Sequence, residues 1–470
     1  MAEAITFRFT NSTPDLQTAT LFESQAFLES QGISEGISEL LFQLKTPALL
    51  TPQYGVYITE INGFLLLGGQ VYNKIICCFY YIDTGTFSDV ATYPTDAGLK
   101  MAPTAIPNAL DVVGNKFTNS IVQFITIPGA LSQCVNITRS GANLQDAPVF
   151  EVLVTGAYTL DGTDVVSNGV FVPSLNKLYS YDADGYIVQI NEVIKPFNSS
   201  FRNVNLVGLG NFLSFYQLNY DGINNRLLII GRTITGDGGL TVLDLNNFVG
   251  AGIPNILFES TWNGLLAVDC IFVPATNQYL FTETDQQVTF LTTFDINFNI
   301  LPQPFELAIS FANMMYIPET KNVLFLGGGL IHTTQGWVIY NPTTQSIIFS
   351  ELNQIYFNLS QLRFSSLFRT MYPSGKYVNL VRANDFGDII VINLVTGALE
   401  NKIEIDTFPE ESVQFTTTIF DQNQVCYLPS PSPSSGLFNL LTSISGTATL
   451  GSSLINVSSD NEGQSYPDVV

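Results

Sequence analysis

The chain has 470 residues, 46% of them hydrophobic, enough to bury one large core or several small ones in series. Its 17 basic residues face 40 acidic ones, a net charge of −23 that repels phosphate and argues against nucleic acid as a main partner. Charged residues are only 12% of the sequence, about half the usual share, so the polar surface must be mostly Asn, Thr, Ser and Gln.

The opening, Met1-Ala2-Glu3-Ala4-Ile5-Thr6-Phe7-Arg8-Phe9, has neither the basic start nor the apolar run of a signal peptide, so synthesis in the cytoplasm is expected. Ile5 to Thr10 alternates at period two and reads as a strand, and Asn11-Ser12-Thr13-Pro14-Asp15 reads as a turn. Thr20 to Leu44 mixes apolar and acidic positions with two glycines, and a short helix capped by Ser38 is predicted over Ser38 to Leu44. Residues 1–50 are therefore read as a non-repeat N-terminal arm.

From Val56 a repeat takes over. Val56-Tyr57-Ile58-Thr59-Glu60-Ile61-Asn62-Gly63-Phe64-Leu65-Leu66-Leu67-Gly68 reads as strand, turn, strand. The same phrase returns at Val170 to Tyr179, Leu218 to Ile230, Ile271 to Phe281, Met315 to Gly327 and Thr370 to Leu380, with a degraded copy from Val425. A further strand ending in Asp or Asn follows most copies, as in Leu240 to Asp244, Phe290 to Asp295 and Trp337 to Asn341. The turn markers Pro173, Asp221, Pro274, Pro318, Pro373 and Pro429 stand 44 to 56 residues apart, with a weak marker near Pro107. Units of this length, with four short strands each, predict an all-β chain: a β-propeller of seven four-stranded blades over residues 51–457. A blade apolar on both faces must pack against neighbours, which favours a ring. Ile5 to Thr10 and Thr447 to Val457 are the segments expected to close it. Residues 458–470 read as a polar C-terminal tail.

The most apolar windows, Gly63 to Gly68 and Ile75 to Ile82, are far short of a membrane span, so no membrane insertion is expected. Cys77, Cys78, Cys134, Cys270 and Cys426 are scattered and odd in number, and read as buried thiols, with Cys77 and Cys78 on opposite faces of one strand.

Candidate chemistry is sparse. Gly32-Ile33-Ser34-Glu35-Gly36 matches a nucleophile pattern but lacks the strand, sharp turn and long helix that make one work. Its only possible imidazole partner is His332, and the segment reads as a turn. Asp182-Ala183-Asp184-Gly185 has the start of a calcium loop without the later donors. Gly236-Asp237-Gly238-Gly239 and Gly327-Gly328-Gly329 lack the Lys-Ser/Thr and helix of a phosphate cradle and read as hairpin turns. Carboxylate pairs for glycoside chemistry cannot be chosen from 40 acids by sequence. No catalytic, cofactor-binding or metal-binding residue is assigned, and no cofactor is expected.

Ile5-Thr6-Phe7-Arg8-Phe9-Thr10-Asn11-Ser12-Thr13-Pro14-Asp15-Leu16-Gln17-Thr18-Ala19-Thr20-Leu21-Phe22 resembles the start of virion structural proteins of tailed bacteriophages, crAss-like ones included. Those often run strand, Asn-Ser/Thr turn and Gln-Thr-x-x-Leu-Phe, commonly followed by Gly where this chain has Glu23. The resemblance covers residues 5–22 of 470 and implies a noncatalytic capsid, neck or tail component located in the virion. Its partners would be other virion proteins and copies of itself. The alternatives carried from sequence are a propeller that binds a host-surface glycan or receptor, a glycoside hydrolase or lyase on the same scaffold, and a cellular scaffold propeller. The last lacks its Trp-Asp and Gly-His signatures.

Overall fold

A computed structural model describes residues 4–10, 16–22, 40–45, 52–68, 74–95, 99, 101–125, 132–141, 143–155, 169–181, 186–195, 204–208, 212–249, 253–262, 264–285, 288–302, 305–309, 313–327, 336–352, 370–371, 377–382, 387–405, 419–420, 426–430, 436–441 and 455–459. Among these residues the chain is all-β, and its only helical turns are the 3-10 segments at Thr59–Ile61 and Pro173–Leu175.

Each repeat but the last folds as an antiparallel meander whose strand order follows the sequence. The first strands of the 52–94, 101–155, 170–208, 212–262, 266–307 and 313–352 sheets lie beside one another in turn. Cys426–Ser430 and Ile419–Phe420 return to lie beside Pro52–Ile58, closing the circle. This is a β-propeller. The inner strands are enclosed by blades on both faces, which is why Gly63–Gly68 and Val323–Gly327 read as continuous apolar runs and are buried at every position. The core is divided among the seams: Cys77 and Phe79 face the 101–155 blade, while Phe281 and Tyr279 face the 212–262 blade.

Spacing predicts seven blades, whereas the described sheets, apart from a three-stranded one formed by the two ends of the chain, are seven of four strands and one of five. The added sheet is 101–155, where the sequence offers only the weak marker near Pro107. The last repeat looks degraded because its fourth strand is Leu40–Lys45, paired with Gly436–Leu441 from the other end of the chain. The helix predicted over Ser38 to Leu44 is corrected by the same pairing, since a partner strand outweighs local helix propensity. Two turn markers are also corrected, because Pro107 and Pro429 lie within strands Met101–Leu110 and Cys426–Ser430. A three-stranded sheet of Ala4–Thr10, Leu16–Phe22 and Ile455–Ser459 joins the two ends of the chain a second time. Ile5 to Thr10 does form a strand, but it reaches the C-terminal strand only through Leu16–Phe22. Ser458 and Ser459 end the Ile455–Ser459 strand, and residues 460–470 lie outside the described residues.

The recurring turns have a simple cause. Between first and second strands the last turn residue takes a left-handed backbone: Asn62, Asn176, Asn225, Asn277 and Lys321, with φ of 39°, 51°, 54°, 55° and 59°. Asn tolerates that conformation far better than other side chains. The Asp or Asn ending a third strand caps the next turn, as Asn341 Oδ1 accepts from Thr343 N at 2.9 Å and Thr344 N at 3.0 Å. Lys321 is the exposed exception to the Asn pattern. Lys321→Asn is expected to raise stability by roughly 0.5–1 kcal/mol, read as a higher midpoint in chemical denaturation.

Candidate functional site

The 212–262, 266–307 and 313–352 blades share a network of buried polar groups that begins on their first strands. Asp269 stands alone as an acid in the apolar run Leu266–Val273, where a register shift between Ala267 and Asp269 re-aims the strand. It is fully buried. Oδ1 accepts from Gln217 Nε2 at 2.9 Å, Asn219 Nδ2 at 2.8 Å and Cys270 N at 2.8 Å. Oδ2 accepts from Met314 N at 2.7 Å. Gln217 and Asn219 belong to the preceding blade and Met314 to the following one, so one carboxylate ties three first strands together.

A second node lies at the end of the Phe212–Asp221 strand. Tyr279 OH donates to Asp221 Oδ2 at 2.5 Å, while Oδ1 accepts from Ile223 N at 3.0 Å and Asn224 N at 3.1 Å. Arg226 Nη1 donates to Tyr279 OH at 3.0 Å and to Ile296 O at 2.8 Å. Burial, followed by the bond to Asp221, pushes the Tyr279 hydroxyl well above its usual range. Both aspartates thus hold blades together.

Glu283 differs. It lies near the end of strand Gln278–Thr284 at 2% exposure, and Thr292 Oγ1 donates to its Oε1 at 3.3 Å. Burial pushes its pKa up to about 7, against the smaller opposing pull of the Thr292 bond. Its environment suits holding and releasing a proton near neutrality.

Of the predicted turn Gly236-Asp237-Gly238-Gly239, Gly236 and Asp237 end the hairpin turn, while Gly238 and Gly239 open strand Gly238–Val249. Thr233 N donates to Asp237 O at 2.8 Å, and Asp237 Oδ1 accepts from Gly264 N at 2.9 Å. Gly238 is required by close approach, because its N donates to Leu265 O at 2.6 Å and a Cβ there would overlap the Ala267 backbone. Gly327 ends strand Asn322–Gly327. Gly328, Gly329, His332, residues 32–36 and Asp182 to Gly185 lie outside the described residues. Cys77, Cys78, Cys134 and Cys270 are buried free thiols, with Cys77 and Cys78 in clusters on opposite faces. Cys426 lies in strand Cys426–Ser430. Sequence reasoning missed Asp269, Asp221, Tyr279 and Glu283. A single acid inside an apolar strand, as in Leu266–Val273, was the available signal.

No protein-family model matches the chain, and no curated protein matches it. Among solved structures it is similar to Sqt1 of Chaetomium thermophilum, at 10% identity and TM-score 0.53 over 87% of this chain and 99% of that one. Sqt1 of Saccharomyces cerevisiae gives 9% identity and TM-score 0.52 over 87% and 99%. The Dos1 propeller gives 9% and 0.49 over 85% and 93%. At these identities the likeness shows the fold alone.

Proposed function

We propose that this protein is a noncatalytic virion structural component, in the capsid, neck or tail, whose N-terminal hairpin attaches its propeller to a neighbouring subunit. The observation that carries this reading is the three-stranded sheet outside the blades. Its Ala4–Thr10 strand has a partner on one side only among the described residues. An edge strand offers a row of backbone N–H and C=O groups to another chain. The hairpin spans the residues 5–22 that resemble phage virion proteins, so the resemblance and the open edge fall on one segment. The chain's low content of charged residues and its polar Asn, Thr, Ser and Gln suit a subunit exposed on a particle.

The test must spare the ring. Deleting residues 1–50 would remove Leu40–Lys45 and open the closing blade, so failure to assemble would have two causes. Deleting residues 1–25 removes only the hairpin strands. The shorter deletion is expected to keep the melting temperature within about 3 °C, a shift of under ~1 kcal/mol, and to be lost from purified particles by mass spectrometry. Incorporation at the wild-type level would overturn the reading.

A further inference from the structure

Glu283 has no part in the attachment reading, and its setting points to a separate property of the ring. Strand alternation places it with Tyr279 and Phe281 on the side facing the 212–262 blade, where Thr292 also lies. Cross-strand pairing sets it beside Ala267 and Phe290. Ala267 is where the Gly238 backbone touches the next blade, and Trp262 packs on Phe281 with centroids 4.4 Å apart. The carboxyl is therefore enclosed at the point where the two blades meet. We propose that Glu283 is a proton-controlled latch on the seam between the 212–262 and 266–307 blades, closed when its carboxyl is protonated and loosened when it ionises.

A buried carboxyl stays charged only if a cation or several donors compensate its lost hydration. Thr292 supplies one neutral donor. The cations on the facing blade are engaged elsewhere, with Arg232 Nε donating to Gly236 O at 3.1 Å and Arg226 holding Tyr279 and Ile296. The acids on the packed elements are Asp237, bonded to Gly264 and Thr235, Glu259 on strand Ile253–Trp262, and Asp269, bonded to the first strands. Asp285 follows on Glu283's own strand, while the paired strand Thr289–Phe294 carries no acid or base. Burial opposes ionisation, and only the Thr292 bond favours it. Because the folded-state value of about 7 lies above the ordinary 4.5, the stabilisation is complete in acid and drains as pH rises through 7.

Hydrogen exchange of the full chain between pH 5.5 and 8.5, corrected for intrinsic rates, tests this. In the wild type, protection of peptides covering residues 264–267 and 281–285 is expected to fall on the order of tenfold between pH 6 and pH 8. A peptide covering residues 119–125 in the remote 101–155 blade should hold constant. Glu283→Gln mimics the protonated form and should make the seam peptides independent of pH. Equal slopes in wild type and variant, or a wild-type seam that tightens with rising pH, would overturn the latch. Should Glu283→Gln fail to fold, Glu283→Met is the second neutral variant, and the wild-type contrast between seam and remote peptides still decides.

Discussion

Asp269→Ala is expected to cost the fold about 3–5 kcal/mol, comparable with breaking a buried charged network. The substitution leaves Gln217 Nε2, Asn219 Nδ2, Cys270 N and Met314 N without their acceptor in a dry seam. Each such donor costs about 1–3 kcal/mol when nothing replaces the bond, offset in part by no longer burying a charge. Asn219 suffers less than the others because its Nδ2 also donates to Cys270 O at 2.6 Å. Asp269→Asn keeps one accepting oxygen but turns an amide donor toward other donors, so it should fall between wild type and alanine. The Met314 amide is the direct reporter, since its hydrogen bond crosses to the next blade. Its exchange protection should drop in both variants, with the denaturation midpoint following. An Asp269→Ala protein within 0.5 kcal/mol of wild type, a surface-like effect, would mean that the three first strands do not depend on this carboxylate.

The ring was legible because its code is local. A left-handed turn residue recurs in five repeats and a strand-ending Asp or Asn in several, and both act within a few residues of themselves. Asn62, Asn176, Asn225 and Asn277 can be read from sequence because one backbone conformation selects them. What was not legible depends on partners far along the chain. Leu40-Leu41-Phe42-Gln43-Leu44-Lys45 carries no mark that its partner is Gly436–Leu441, so the local sequence suggests a helix there and a degraded closing blade. The candidate site failed to show for the same reason. Asp269 looks like an interruption of an apolar strand until Gln217 and Met314 are brought to it from 52 and 45 residues away. Glu283 is one of 40 acids by sequence, and only the seam that encloses it changes its chemistry.

The seam between the 313–352 and 370–405 blades is expected to fail most sharply at a glycine. Gly397 has φ of +80°, and a Cβ there would lie 2.7 Å from Phe349 Cβ and closer still to its ring. Its carbonyl accepts from the buried Trp337 Nε1 at 2.7 Å, so the turn and the neighbouring blade fix each other. Asn393 fixes the turn from its own side, its Oδ1 accepting from Val395 N at 2.9 Å and Thr396 N at 3.0 Å. Gly397→Ala therefore adds left-handed strain of about 1–2 kcal/mol to overpacking of about 1–3 kcal/mol, a loss of roughly 2–5 kcal/mol. Two further variants separate the contributions. Phe349→Ala should relieve the overlap and recover part of the loss in the double variant, leaving the backbone strain. Trp337→Phe alone removes the indole donor and should cost about 1–3 kcal/mol for the unpaired carbonyl. Combined with Gly397→Ala it should cost less than the sum, because a displaced turn has already broken that bond. Strict additivity of Trp337→Phe and Gly397→Ala in chemical denaturation would show that the turn and the tryptophan act independently.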